Sequence, residues 1–248
     1  MRYYYLEGGI EEFDSYSEAF NAAYELNLSK ESIRCKEDGI EIPLTCNRSI
    51  VTNFGCPTNC WYCIWKNHSL KDCNEPFEME RVKFFIESAP TDKISISGGG
   101  DCLHQFDKYE KSFWEPIFAL AKKYKKKIDV HSRTPFWNDA FWKKINKVVV
   151  SSDFLTEDMV YLSYLAQNTK VRVVHVVTKD STPGLIAAYC NFLDTIGAQF
   201  TLKRLVGYDD GNRWNEIKKT FPNIFFLEEG DYNIYYMPDN EVYDFFLQ

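Results

Sequence analysis

The sequence contains no run of 18 apolar residues, the least that would suggest a bilayer-spanning helix, so no membrane span is expected. The opening Met-Arg-Tyr-Tyr-Tyr-Leu-Glu has no continuous apolar stretch and soon turns acidic, which argues against a secretory signal and sets a cytoplasmic expectation. Excess positive charge is missing too. The net charge is −7, and bases outnumber acids only in the middle of the chain, mainly through Lys122, Lys123, Lys125, Lys126 and Lys127. Those lysines suit the C-terminal end of a helix, where cations meet the dipole, better than a nucleic-acid surface. No low-complexity linker interrupts the chain.

What is present is a folded globular sequence. Its 248 residues are 45% apolar and 17% aromatic, enough to bury a sizeable core. The eight cysteines are Cys35, Cys46, Cys56, Cys60, Cys63, Cys73, Cys102 and Cys190. In a cytoplasmic setting they are expected as thiols or metal ligands, not disulfides.

Residues 1–45 read as a small α+β extension: a strand at Arg2–Leu6, a helix opened by Ser15 and Glu18 as a capping box, and a hairpin around "EDG". From there to about residue 221 strands and helices alternate. Strands are predicted at 49–53, 93–97, 127–132, 147–151, 171–177 and 200–206. Helices follow at 77–87, 109–123, 139–145, 157–167, 183–196 and 212–220. The fifth strand is nearly all β-branched, as a strand buried on both faces should be. Six β-α units imply a parallel sheet with right-handed crossovers, too few for a closed eight-stranded barrel. The fold class is therefore α/β, either a doubly wound sheet or a partial barrel. Residues 222–248 are aromatic-rich, with "MPDNE" as a turn, and predict a terminal β-hairpin.

"GCPTNCWYC" follows the first of these strands directly. Parallel α/β proteins place their chemistry at the carboxyl ends of strands, so Cys56, Cys60 and Cys63 lie where a site is expected. Three thiolates on one loop suit a 4Fe–4S cluster with one iron left open, since each iron takes one thiolate. They also suit a zinc site completed by Cys46, His68 or Cys73.

The spacing C-x3-C-x2-C, with the aromatic Tyr62 before the last cysteine, resembles the radical S-adenosylmethionine (radical SAM) superfamily. The resemblance covers roughly residues 48–221. It implies a (β/α)6 partial TIM-like barrel over 46–221 and an oxidoreductase-type radical enzyme. A 4Fe–4S cluster on Cys56, Cys60 and Cys63 would leave its open iron for the amino and carboxylate groups of S-adenosylmethionine. One-electron cleavage then yields methionine and a 5′-deoxyadenosyl radical, with flavodoxin or ferredoxin as the electron donor.

The other strand ends supply further candidates under that resemblance. Gly98, Gly99, Gly100 and Asp101 stand where the family has Gly-Gly-Glu-Pro, whose backbone receives the methionine amino group. Here Gly100 replaces the acid and Asp101 follows. Three glycines allow close backbone approach. Ser132 and Arg133 end the third strand. Ser151, Ser152 and Asp153 end the fourth and could meet the ribose diol, though Asp153 could equally cap the next helix. Lys179 ends the fifth strand and could meet the methionine carboxylate. Leu205 and Val206 occupy the adenine region. Cys102 and His131 are the candidates for catalysis itself. His175 could point inward, and of Lys203 and Arg204 one should. Arg133, Lys179 and Arg204 favour an anionic small molecule or nucleotide as substrate. A protein or peptide substrate, as for a glycyl-radical activase, is the alternative, and a non-catalytic metal-binding protein the second. Overall acidity disfavours tRNA.

Overall fold

The computed structural model describes residues 2–6, 12–13, 15–26, 33–37, 40–42, 47–60, 62–63, 77–89, 91–153, 156–204, 208–227, 233–240 and 242–243. The chain forms two compact units, one from residues 1–56, 68–128 and 231–248, the other from 57–67 and 129–230.

In the first unit, β1 (Arg2–Leu6), β2 (Glu12–Phe13), β3 (Ile33–Glu37) and β4 (Ile40–Ile42) make an antiparallel sheet in the order β2-β1-β3-β4. Helix α1 (Tyr16–Glu25) starts at Ser15, whose side chain accepts the Glu18 N–H at 3.2 Å. That satisfies one of the donors left open at a helix start. Phe20 of α1 meets Phe84 and Phe85 of α2 (Met79–Glu87) edge-on, with centroids 5.0 and 5.8 Å apart.

The same unit contains the first two strands of the β-α series, β5 (Asn47–Thr52) and β6 (Lys93–Gly98), paired in parallel. After β6 one helical run carries α3 (Phe106–Tyr109), a π turn (Glu110–Trp114) and α4 (Glu115–Lys123). It begins earlier than the sequence pattern suggests. Pro116 cannot donate to the carbonyl of Ser112 and its ring crowds that group, which accounts for the wider turn. The lysine cluster serves the fold: Lys126 Nζ donates to the carbonyls of Ala89 and Thr91 at 2.5 and 2.8 Å, and Lys127 pairs with Asp92 at 2.7 Å.

Strand β7 (Lys127–Ser132) begins in the first unit and ends in the second. With β8 (Lys147–Ser151), β9 (Lys170–Val177), β10 (Gln199–Arg204) and β11 (Phe225–Leu227) it forms a parallel array ordered β11-β10-β9-β8-β7. The helices between are α5 (Asp139–Trp142), α6 (Thr156–Asn168), α7 (Pro183–Thr195) and α8 (Arg213–Thr220). Asn138 and Thr182 cap α5 and α7 through their side chains, and Pro183 stands where a missing N–H costs nothing. Val177, Leu202, Ile186, Trp214 and Ile217 form a buried cluster between strands and helices. Six β-α units thus follow one another from β5 to α8. Among the described strands, β11 stands at an edge in the second unit, and β13 (Val242–Tyr243) at an edge in the first.

One expectation changes and one is extended. The fifth strand of the series, β9, is not fully buried on both faces. Val171, Val173, His175 and Val177 are buried, while Arg172, Val174 and Val176 alternate with them half-buried. Only one face is covered by helices. The tail forms the expected hairpin and adds a further strand. Phe225–Leu227 extends the parallel array beside β10, satisfying an edge that would otherwise stand open. Only β12 (Asn233–Tyr236) and β13 form the hairpin, and β12 also pairs in parallel with β5.

Candidate active site

The cysteine loop leaves β5 at Thr52. Two backbone bonds stitch its start to the glycine turn after β6: Gly99 N–H donates to the Thr52 carbonyl at 2.7 Å, and Asp101 N–H to the Gly55 carbonyl at 2.8 Å. Gly55 has φ +81°, the left-handed region that favours glycine. A Cβ on Gly100 would stand 2.4 Å from the Gly55 oxygen, and one on Gly98 2.6 Å from the Gly100 oxygen. Two of the three glycines are therefore required by close backbone approach. Asp101 is buried, and its Oδ1 accepts the Leu103 N–H at 2.9 Å, closing a side-chain turn. Cys102 beside it is fully buried. His104, which the sequence did not single out, lines the Gly55 turn.

In the second unit the later part of the loop meets the ends of β7 and β8. Arg133 Nη1 donates to Cys60 Sγ at 3.3 Å and to the Tyr62 hydroxyl at 2.9 Å. Its Nη2 forms an ion pair with Asp153. Tyr62 in turn donates to Asp153 Oδ1 at 3.4 Å. Burial, reinforced by the Asp153 carboxylate, pushes the Tyr62 phenol up to about 12, so it stays protonated. Burial opposes charge on Arg133, but Asp153, Tyr62 and Cys60 outweigh it and raise its pKa further. Four sequence candidates, Cys60, Tyr62, Arg133 and Asp153, thus form one network. Asp153 is engaged with Arg133 and Tyr62.

The other candidates divide by strand face. Ser152 lies on the helix-covered side, where its hydroxyl donates to Asp158 Oδ2 at 2.7 Å. Ser132 is buried and donates to the Thr134 carbonyl at 3.4 Å, whereas Ser151 is exposed. His175 also faces the helices. Its Nδ1 must donate to the Ser152 carbonyl at 3.2 Å, since a carbonyl only accepts, so Nε2 accepts from Ser181 at 2.9 Å. Burial lowers its pKa and keeps it neutral. Lys203 lies on the helix-free face, opposite Val176, while Arg204 turns the other way, 3.9 Å from Asp210. Lys179 is exposed, and its carbonyl accepts from Arg213. His131 is open to solvent on the helix-free face but surrounded by protein on its other sides. Those surroundings push its imidazole down to about 4; Asp129 opposes the shift, while Lys147, Arg172 and Lys203 add to it. Leu205, Val206, Cys46, His68 and Cys73 lie outside the described residues.

Cys56, Cys60 and Cys63 stand outside any disulfide, all half-buried. Among the described residues no three His, Cys, Asp or Glu side chains converge as a single ion would require. A four-iron cluster asks for something different: each thiolate serves a different iron, so the sulfurs stand further apart. Three thiols on one short loop, none of them in a disulfide and one held by a guanidinium, fit that donor set.

No family model matches the chain, and no curated protein does. Solved structures do. Streptococcus suis SuiB bound to S-adenosylmethionine superposes with a TM-score of 0.61 at 15% identity, over 84% of this chain and 61% of that one. SuiB bound to precursor peptide SuiA gives 0.61 at 13% identity, over 97% and 67%. Coproporphyrinogen III oxidase (HemN) from Escherichia coli, a radical SAM enzyme, gives 0.50 at 10% identity, over 71% and 51%. The chain spans between 51% and 67% of the length of these structures. At such identities the likeness establishes architecture, and the architecture is the open α/β fold of the radical SAM structures.

Proposed function

We propose that this chain is a radical SAM enzyme. Cys56, Cys60 and Cys63 would hold a 4Fe–4S cluster, and the Gly98–Asp101 turn would receive the methionine end of S-adenosylmethionine. When bound, the two groups together supply one-electron cleavage of the sulfonium to methionine and a 5′-deoxyadenosyl radical. The observation that carries this reading is the loop itself. Three thiols follow the first parallel strand, the loop is tied by backbone bonds to a glycine turn with no room for a Cβ at Gly98 or Gly100, and Arg133 donates to Cys60.

The chain's own groups then have distinct tasks. Arg133 donates to Cys60 Sγ and orients it. Tyr62 stays protonated and links Arg133 to Asp153. Backbone carbonyls at the glycine turn are the acceptors for an ammonium. Ser151 and Asp153 are the polar groups at the end of β8 available to a ribose diol, Asp153 by exchanging its present partners. An external one-electron donor of the flavodoxin or ferredoxin kind is required.

For the substrate, the bases on the helix-free face of the second unit support an anionic small molecule. A peptide substrate is the second reading, favoured by the superposition of 97% of this chain on SuiB bound to its precursor peptide.

Anaerobic reconstitution with iron and sulfide, then S-adenosylmethionine and dithionite, tests the proposal. The expected product is 5′-deoxyadenosine, together with a brown protein. Replacing Cys56, Cys60 and Cys63 by Ala should remove both. A chain that binds zinc at those cysteines and yields no 5′-deoxyadenosine would overturn the reading in favour of a structural metal protein.

A further inference from the structure

Phe54 lies in the loop between β5 and Cys56, yet only 5% of it is exposed. Loop side chains ordinarily meet solvent. This one is boxed by rings from two other segments of the first unit. Tyr109 lies almost parallel to it, with centroids 3.8 Å apart and an interplanar angle of 11°. Phe113, one turn further along the same helical run, meets Phe54 edge-on at 5.2 Å, and Phe77, ahead of α2, edge-on at 6.4 Å. Phe77 and Phe113 also meet each other, at 5.0 Å, which closes the box. Contacts of this kind depend on ring geometry as well as on buried area, so an aliphatic side chain does not reproduce them.

The helical run is shaped for this contact. Tyr109 is the last residue of α3, and the π turn Glu110–Trp114 follows it directly. The extra residue of that turn brings both Phe113 and Trp114 into the core. The neighbours of Phe54 along the chain are held too. The Thr52 carbonyl accepts the Gly99 N–H at 2.7 Å, and the Gly55 carbonyl accepts the Asp101 N–H at 2.8 Å. Thr52 and Gly55 are thus fixed by the turn after β6, and Phe54 by the aromatic box. Cys56 is the next residue, so the direction in which it leaves follows from theirs.

We infer that Tyr109 is a positioning residue for Cys56, acting through its stack on Phe54. The ring pair holds the start of the loop, so that the Cys56 thiol stands in one place before any cluster is assembled. The inference rests on the reading of Cys56 as a cluster ligand, while the stack itself belongs to the chain without iron. Neither ring carries a cluster ligand, and each is needed for where the ligand points.

The test begins with the full chain free of iron, under anaerobic and reducing conditions. Rates of iodoacetamide alkylation at Cys56, Cys102 and Cys190 are read by peptide mass spectrometry. Cys102 is fully buried and reports unfolding of the first unit, and Cys190, on α7, reports the second. Tyr109→Leu should speed alkylation of Cys56 by about threefold or more, the change that loss of one aromatic pair supports, with Cys102 and Cys190 as in wild type. Tyr109→Phe keeps the ring and should match wild type. After loading with iron and sulfide, Tyr109→Leu should lose iron to a chelator faster than wild type, and Tyr109→Phe should not. If Cys102 speeds up as well, the Leu variant has unfolded, and Tyr109→Met, whose flexible side chain fills the gap without a ring, gives the reading. An unchanged Cys56 rate or unchanged iron loss in a folded variant without the ring overturns the inference. So does a Phe variant that behaves like the Leu variant. A wild-type chain that takes up no iron would overturn the cluster reading and leave the alkylation result standing.

Discussion

Arg133 Nη1 lies 3.3 Å from the sulfur of Cys60, the middle cysteine of the loop. No residue near Cys60 in sequence announces that contact, which spans 73 positions. It brings a cation to a group that must lose a proton to bind metal.

Arg133→Gln should therefore change the loaded protein more than the empty one. A cluster gains an electron on reduction, and a cationic donor to sulfur favours the more negative state. Removing one such interaction of about 1.4 kcal/mol should lower the one-electron midpoint by about 60 mV. Potentiometry followed by electron paramagnetic resonance reads this directly. A midpoint equal to wild type would separate Arg133 from the cluster.

Gly100→Ala should destabilise the protein. Its Cβ would stand 2.4 Å from the Gly55 oxygen, backbone against backbone, so the strands or the loop must shift. Overpacking costs about 1–3 kcal/mol, equivalent to several degrees of melting temperature at this chain length. Iron uptake at the loop should fall with it. A variant with wild-type melting and iron content would show that the turn yields freely.

Asp101→Asn should be nearly neutral, because an amide oxygen can still accept the Leu103 N–H. Asp101→Ala should cost about 1–3 kcal/mol, the range for a buried group left without its partner. Denaturant unfolding compares the two. If the Asn variant lost S-adenosylmethionine affinity while keeping stability and iron, the negative charge itself would be the functional feature.

His175 sets an acid limit. Burial holds its folded pKa below the usual imidazole value. The unfolded chain therefore takes up a proton first as pH falls below about 6.5, and folding loses stability from there down to the folded pKa. His131 acts in the same direction, so the informative quantity is a difference. His175→Gln should show a shallower loss of stability between pH 7 and pH 5 than wild type. Equal slopes in urea unfolding would mean that His175 titrates alike in both states.

Deleting residues 233–248 should expose the free edge of β5. Strand β12 pairs along β5, and the buried Tyr236 donates to Asn240, whose Oδ1 also accepts the Glu78 N–H at 2.8 Å. An uncovered parallel strand edge invites association with other chains. Light scattering and gel filtration should show aggregates, and a monomeric, cluster-loaded truncation would contradict this.

The six β-α units were legible in the sequence because periodicity is local: alternating or β-branched runs give strands, and apolar residues three and four apart give helices. The cysteine loop was legible for the same reason, since three ligands within eight residues need no tertiary information. The glycine turn was legible as a turn, and the structure added why Gly98 and Gly100 must be glycine, through approaches between segments distant in sequence. Facing was not legible. "KVRVVHVV" reads as a nearly all β-branched strand buried on both faces, yet the helices cover only one side of β9, so Arg172 and His175 end on opposite faces. Lys203 and Arg204 are neighbours in sequence with the same charge, and only strand register decided which of them joins the helix-free face. Composition and spacing fix which chemistry a segment can do. Which partner each charge meets depends on side-chain direction, and a one-residue step along a strand reverses that direction.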